Sequence, residues 1–450
     1  MSDPASRFPS PFVLLVGCIL LAAVLTWLLP AGRYERREDA ATGRDVVVPG
    51  TYARVEAQPV GPFRAVVAIP KGIAAAADVV ALVFLIGGAF AVIEQTGALR
   101  RAVHALAGAV EGREALVIPV SSLAFAAGGA TQNMGEEIIA LVPVLLLLAR
   151  GLGFDALTAA AMSIGAAIVG AAFSPVNPFQ VLIAQKVAQL PPGSGWAFRT
   201  VVLALALGLW ILGTWRYASR HREPAVPLEL PEANASRDRR LDLILVLTAA
   251  ALAMVPIGLQ RLGWGFDELS AMFVIVGVAA GLVAGMGLRG TAHAFTAGFA
   301  AMTGAALLIG FAKAISVVLE EGVVLDTIVN GLVAPLGGLP ATASAIGMMG
   351  VHVAVHVPVP SVSSQAVLTM PILVPLSDLL GIARQVTVLA FQYGAGLCEM
   401  ITPTNGALMA VLAAAGVPFS RWMRFAVPLF LALFALGAAA VAAAIATGLG

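Results

Sequence analysis

Charged residues are scarce in this sequence: they make up 11% of its 450 residues, whereas 60% are hydrophobic. A soluble globule of this size would need more polar surface, so the composition predicts an all-α polytopic membrane protein. The formal net charge of +1 provides no basic face for a nucleic acid, whose binding requires several phosphates to be neutralised. We therefore expect a lipid bilayer and a small-molecule substrate as partners, and no nucleic acid.

Cysteine pairs and the motifs of enzymes and ATP-driven pumps are also lacking. Cys18 and Cys398 lie far apart in apolar runs and form neither a CxxC motif nor a disulfide framework. There is no Walker A sequence, which argues against ATP as the energy source. His352 and His356 have the i, i+4 spacing of a metal pair but lack an HExxH motif and a third ligand, which favours packing or hydrogen bonding. We expect no cofactor and no catalysis; a membrane-embedded enzyme and a channel stay open as alternatives.

A polar, doubly acidic stretch, GGATQNMGEE at residues 128–137, interrupts the apolar runs of the first half. It divides the segment at about 115–149 into two arms, each shorter than the roughly 20 helical residues that cross a hydrocarbon core. This pattern is typical of a re-entrant hairpin, which is tolerated at membrane depth only where protein or water surrounds its tip. Further on, Ser174-Pro175-Val176-Asn177-Pro178 breaks the apolar run at about 155–190, because each proline removes a backbone donor.

Both features recur in the second half. The stretch from Pro360 to Gln365 predicts the tip of a second hairpin at about 341–380, and the Thr402-Pro403-Thr404-Asn405 stretch breaks a second helix at about 384–417. Two interrupted apolar segments at corresponding positions of two halves are the best sequence pointer to the binding site of a secondary transporter. One constant offset, without a gap, pairs Pro143 with Pro371, Gly153 with Gly381, Ser174 with Thr402, Pro175 with Pro403, and Asn177 with Asn405.

The clearest boundary is a proline- and arginine-rich linker at 216–242, between a first repeat at 1–215 and a second repeat at 243–450. Arginine-rich loops face the cytoplasm, so we expect a cytoplasmic linker and a cytoplasmic N-terminus. Most loop charges then give the two repeats opposite orientations, with nine crossings besides the hairpins. We expect Arg33 to Gly72 to be an extramembrane loop. The acidic segment from Leu319 to Leu339, which has no lysine or arginine, should face outward.

The polar residues of the tips and breaks are the candidate substrate- and ion-binding residues. Burying one carboxylate in the bilayer costs about 2.5–3.5 kcal/mol, so Glu136 and Glu137 favour a site role, with helix capping by one of them as the alternative. Asn177 and Asn405 either contact the ligand or satisfy carbonyls freed by the prolines. Lys313, deep in a predicted span, should pair with an acid. The candidates are Thr131, Asn133, Glu136, Glu137, Ser174, Asn177, Ser361, Ser363, Ser364, Thr402, Thr404 and Asn405, with Glu399 as a candidate coupling residue.

Five segments carry a resemblance to a known family: LLPAGRYE at 28–35, VPGTY at 48–52, PVGPF at 59–63, AIPKG at 68–72 and GGAT at 128–131. They resemble the YfcC-type branch of the C4-dicarboxylate anaerobic carrier-like family, in the ion transporter superfamily. The resemblance covers nearly the whole chain. It implies inverted repeats, a scaffold domain that dimerises, an elevator-type transport domain, and a place in the bacterial inner membrane. It also implies an ion-coupled carrier or exchanger of a small carboxylate-containing metabolite, since relatives carry dicarboxylates or arginine and ornithine.

The tips depart from one pattern of that superfamily. In its sodium-dicarboxylate carriers, Ser-Asn-Thr motifs hold the substrate carboxylate and sodium, whereas here the tips read ATQN at 130–133 and SVSS at 361–364. Two adjacent glutamates suit a substrate that bears an amine better than a dianion, unless a coupling cation neutralises them. We therefore expect an amino acid ahead of a C4-dicarboxylate as substrate, with sodium or a proton as the coupling ion.

Overall fold

The computed structural model describes residues 11–39, 44–99, 101–102, 112–225 and 239–449, which form α-helices and two small β-ribbons. Seven helices in this part of the chain are long and apolar enough to cross a bilayer, which confirms the prediction of a helical, multi-span membrane protein. The first eight helices are α1 (Pro11–Leu28), α2 (Pro62–Ala75), α3 (Ala77–Gln95), α4 (Val117–Gln132), α5 (Glu136–Gly151), α6 (Ala156–Ala160), α7 (Ala166–Ala172) and α8 (Ile183–Val187). The others are α9 (Trp196–Arg220), α10 (Arg239–Arg261), α11 (Phe266–Val283), α12 (Gly287–Glu321), α13 (Leu325–Val333), α14 (Ala341–His356), α15 (Val362–Leu379), α16 (Arg384–Cys398), α17 (Gly406–Ala414) and α18 (Phe419–Ala446).

The segment after α1 contains four short strands, the first of which packs against α13. Strand β1 (Gly32–Arg33) pairs antiparallel with β4 (Ala53–Arg54), and β2 (Arg36–Asp39) pairs with β3 (Arg44–Val47). Asp326 accepts from the Tyr34 amide at 2.8 Å and pairs with the Arg36 guanidinium at 2.8 Å. Burial and the Asp326 carboxylate raise the pKa of Tyr34 to about 12, so its hydroxyl stays protonated and donates to Asn330 Oδ1 at 2.9 Å. Asp326 of the acidic segment at 319–339 is thus paired with Arg36, a basic residue from another part of the chain.

The loop that was predicted to run from Arg33 to Gly72 ends at Gly61, because helix α2 begins at Pro62. Proline at the start of a helix costs no hydrogen bond, so Pro62 can begin α2. A Cβ on Gly72 would lie 2.4 Å from the Gly310 carbonyl oxygen, so α2 and α12 approach too closely there for any side chain. At the end of α12, Glu321 pairs with Lys71 and, at 3.0 Å, with Arg64.

The predicted linker at 216–242 is helical at both of its ends. Helix α9 continues to Arg220, and α10 begins at Arg239. Residues 226–238 lie outside the described residues. The helices on either side therefore extend into the predicted linker. Arg216 and Arg220 lie near the end of α9, and Arg239 and Arg240 lie at the start of α10.

Two helix–turn–helix units occupy the positions of the predicted hairpins. Helices α4 and α5 are joined by the turn 133–135, in which Asn133 adopts a left-handed backbone with φ of 56°. Helices α14 and α15 are joined by residues 357–361. Helix α4 crosses α7 at backbone contact, since a Cβ on Gly129 would lie 2.0 Å from the Ala167 oxygen and one on Gly170 would lie 2.1 Å from the Ala126 oxygen. The tip that follows Gly129 is therefore held directly against the first broken helix.

Helices stop and resume at both predicted breaks. Helix α7 ends at Ala172, and helical structure resumes as a π-turn at Pro178–Leu182 that leads into α8. Asn177 caps this turn, because its Oδ1 accepts from the amides of Phe179 at 2.9 Å and Gln180 at 2.8 Å. Asn405 caps α17 in the same way, accepting from the Leu408 amide at 3.1 Å. The two asparagines thus supply the acceptors that the new helix ends need.

The two broken helices contact each other around a buried arginine that the sequence analysis did not single out. Gln392 of α16 donates to the Ser174 carbonyl at 2.7 Å. Arg199 of α9, which is fully buried, donates to Gln392 Oε1 at 3.2 Å and to Gln385 Oε1 at 3.1 Å. It also donates to the Ser194 carbonyl at 2.6 Å. Amide and carbonyl oxygens therefore satisfy this guanidinium and join α9 and α16 to the first break.

Candidate functional site

A cavity of about 410 Å³ lies where the two tips, the second break, α3, α7 and α12 meet. Four of its lining residues are ionisable: Asp78 at the start of α3, Glu136 at the start of α5, Lys313 in α12, and Glu399 at the second break. Its volume is that of a site for a small metabolite. Much of the remaining wall is apolar, with Ile164, Ala167, Ile168, Ala171, Ile309 and Ala312 among its residues.

A second cavity, of about 880 Å³, adjoins the first. Its further lining includes Val176 at the first break and Trp264 to Phe266, between α10 and α11. The wall that the two cavities share carries both tips, so a ligand that passes from one cavity to the other must move past them. The shared residues are Asn133, Glu136, Phe179, Ser361 and Ser363.

The structure brings together residues from both tips and from the second break. Two predicted site residues, Thr131 and Glu137, line only the 880 Å³ cavity. Another four, Ser174, Asn177, Ser364 and Thr402, are absent from the linings of both cavities. The predicted residues that line the 410 Å³ cavity are Asn133, Glu136, Ser361, Ser363, Glu399, Thr404 and Asn405.

Ser174 and Asn177 hold the first break against the first tip. The Ser174 hydroxyl donates to the Ala130 carbonyl at 2.6 Å and accepts from the Asn177 amide at 2.8 Å. The Asn177 side chain donates to the Gly129 carbonyl at 2.8 Å, and both residues are fully buried. The structure therefore gives these two residues a positioning role for the tip. They satisfy tip carbonyls, not carbonyls of their own broken helix.

The adjacent glutamates of the first tip have different environments. Glu137 Oε2 accepts from the Gly135 amide at 3.1 Å, so this carboxylate caps the turn before α5. Glu136 lines both cavities. Asp78 and Glu399 line the 410 Å³ cavity together with it. Glu137 thus caps the turn and also lines the 880 Å³ cavity, whereas only Glu136 lines the 410 Å³ cavity.

Two charged residues of the cavity were not among the predicted site residues. Asp78 begins an ordinary apolar span, and no neighbouring polar motif marks it in the sequence. Lys313 was expected to pair with an acid. Within the described ranges, no carboxylate oxygen lies within 4.0 Å of its ammonium. It lines the cavity together with three acids instead.

The histidine pair is held by hydrogen bonds. His356 Nδ1 pairs with Gln365 Oε1 at 3.0 Å, and Gln365 Nε2 donates to the His352 carbonyl at 2.8 Å. Both histidines are fully buried. The described part of the chain contains no cluster of three or more His, Cys, Asp or Glu that could hold a metal ion. Hydrogen bonding was the favoured interpretation of this spacing, and the structure shows such bonds.

These features are those of a multi-span membrane transporter whose charged cavity lies between two interrupted halves. The chain belongs to the C4-dicarboxylate anaerobic carrier family, whose model matches residues 8–446. It is 31% identical over 492 residues to the Escherichia coli K12 protein named "Putative basic amino acid antiporter YfcC", covering 98% of this chain and 97% of that protein. A Haemophilus influenzae protein is 28% identical, with 96% of each chain covered. The YdaH transporter of Alcanivorax borkumensis is 18% identical, with 98% of this chain and 100% of that chain covered and a TM-score of 0.43.

Proposed function

We propose that this protein is a secondary active transporter that exchanges or co-transports basic amino acids of the arginine and ornithine type, bound in the 410 Å³ cavity. One observation supports this substrate class above all: three carboxylates and one ammonium line the cavity. A basic amino acid has two cationic groups and one carboxylate, so it complements this set of charges. A C4-dicarboxylate would add two negative charges to a lining that is already acidic. The name of the Escherichia coli relative agrees with this choice.

The transport cycle that we propose uses the predicted inverted repeats, with both helix–turn–helix units re-entrant, a dimeric scaffold and an elevator-like moving domain in the bacterial inner membrane. Helix α4, together with the 3₁₀ turn before it, runs over 19 residues (Glu114–Gln132) and is one of the seven helices of spanning length, but its partner α5 has only 16 residues. Helix α5 is about 24 Å long, which is less than the roughly 30 Å of the hydrocarbon core. Sodium or a proton is the proposed coupling ion, bound among the cavity carboxylates and tip hydroxyls.

Counterflow tests the proposed function. Purified protein in liposomes loaded with unlabelled ornithine should accumulate labelled arginine transiently, and vesicles without protein should not. Loading with succinate should give no stimulation, because two carboxylates do not match the acidic lining. Exchange of labelled succinate with no exchange of arginine would overturn the substrate class. Arginine flux that never saturates would indicate a channel instead of a carrier.

Cysteine labelling tests the re-entrant arrangement of α4 and α5. Cys18 and Cys398 are first replaced by alanine, and single cysteines are then placed at Gln95 or Arg150, both exposed. If the two helices enter and leave on one side, both cysteines should react with a membrane-impermeant maleimide from the cytoplasmic side only. Reaction from opposite sides would mean that the α4–α5 unit crosses the membrane, and the inverted-repeat model would be wrong.

A further inference from the structure

We infer that Lys313 is the specificity-determining residue that binds the substrate's carboxylate, so that the carrier selects amino acids over the diamines formed when they lose that carboxylate. This inference rests on the proposed function and deepens it. It assigns one chemical group of the substrate to one side chain of the cavity.

The position of Lys313 supports this assignment. Among the described residues, Lys313 is the one basic residue in the lining of the 410 Å³ cavity. It lies on α12, whereas the three acids come from α3, the first tip and the second break. Ile309 and Ala312 of the same helix also line the cavity, and their side chains are apolar. Since no described acid neutralises it directly, the bound ligand can supply the missing negative charge.

The same charges explain how a diamine would be rejected. A diamine carries the same two ammonium groups as the amino acid and could satisfy the acids, but without a carboxylate it would leave the Lys313 ammonium unpaired. A site that binds a polar group strongly rejects an analogue lacking that group, because the site's own polar group is then left without a partner. Removal of the Lys313 charge should therefore weaken amino acid transport and relieve the exclusion of diamines.

The test compares ornithine with 1,4-diaminobutane, which is ornithine without its carboxylate. Initial uptake of each labelled compound is measured in liposomes containing the wild-type protein or Lys313→Met. The substitution should lower ornithine uptake at subsaturating concentration by about tenfold or more, while diaminobutane uptake stays constant or rises. Lys186→Met is the matched control, because Lys186 is exposed and lines neither cavity. It should leave the ratio of the two rates unchanged.

The outcomes separate the inference from the proposed function. Ornithine transport by the wild type with the same ratio in Lys313→Met would overturn the inference and leave the proposed function standing. Wild-type protein that transports neither compound would overturn both. A second measurement does not depend on the folding of the variant: ornithine, but not an equal concentration of diaminobutane, should raise the melting temperature of the wild-type protein in detergent. Equal stabilisation by the two compounds would contradict the inference.

Discussion

Glu399→Gln should lower the uptake of a basic amino acid at subsaturating concentration by at least about tenfold. Truncating one partner of a buried, hydrogen-bonded charge pair costs about 2–5 kcal/mol, and 1.4 kcal/mol already corresponds to a factor of ten. Glu399 lies at the second break and lines the same cavity as Glu136, so glutamine there keeps the shape and removes one of three negative charges. The measurement is the initial rate of uptake into liposomes over a range of substrate concentrations. Glu136→Gln should give a loss of similar size.

Glu137→Gln is the matched control for these two variants. Its carboxylate accepts from the Gly135 amide and does not line the 410 Å³ cavity. Glutamine retains an acceptor oxygen for that bond, so uptake should fall much less. If all three variants kept wild-type uptake, with the same dependence on pH and sodium, the carboxylates would have no role in binding or coupling. The hydroxyls and carbonyls of the tips and breaks would then be the better candidates.

The pattern of loss in Glu136→Gln and Glu399→Gln also identifies what each carboxylate binds. A carboxylate that binds only the coupling ion is needed for accumulation against a gradient, but not for the exchange of labelled for unlabelled substrate. A carboxylate that binds the substrate is needed for both. Uphill uptake and equilibrium exchange should therefore be measured side by side, in the same liposome preparations.

Gly129→Val should prevent the protein from reaching its folded, monodisperse state in detergent. A Cβ at this position would lie 2.0 Å from the Ala167 oxygen, and that oxygen belongs to the backbone of a fully buried helix. Forcing extra atoms into a packed interior costs typically 1–3 kcal/mol and more where the backbone must shift. The readouts are the yield after size-exclusion chromatography and the melting temperature of any protein recovered.

Gly208→Val is the control for this substitution. Gly208 lies within α9, where an added Cβ would meet no atom within 4 Å. It carries the same change in helix propensity without the collision, so yield and melting temperature should stay close to those of the wild type. Normal yields for both variants would mean that α4 and α7 can separate, and that the tip is not held against the broken helix.

The tips and breaks could be predicted from the sequence because their signals are local. Prolines, glycines and polar residues within apolar runs mark the places where a membrane helix stops, and the structure has helix ends at residues 132–136 and 172–178. The start of α2 was missed, since its amphipathic pattern follows a turn-rich segment and Pro62 reads as part of a loop. That proline in fact occupies the first position of the helix.

The directions of side chains could not be predicted, because they depend on contacts between distant segments. Asn177 and Asn405 are equivalent in the sequence, yet Asn405 lines the 410 Å³ cavity and Asn177 donates to the Gly129 carbonyl. Asp78 was overlooked for the same reason. Its place in the cavity follows from the packing of α3 against α12, which no motif in the sequence encodes.

The ion pairs of Glu321 with Arg64 and Lys71 also have an electrical consequence. These pairs involve exposed side chains at the end of α12, which the proposed arrangement places in water, and Lys313 lies eight residues before Glu321 in the same helix. Eight residues of helix span about 12 Å, so the cavity charges lie within the membrane field. Exchange of arginine for ornithine moves no net charge and should be indifferent to voltage. In Lys313→Met, in which the exclusion of diamines should be relieved, exchange of ornithine for a diamine would move one elementary charge. Crossing the whole membrane changes the energy of one charge by about 2.3 kcal/mol per 100 mV. The resting potential would then act on the exchange in proportion to the difference in charge between the two substrates.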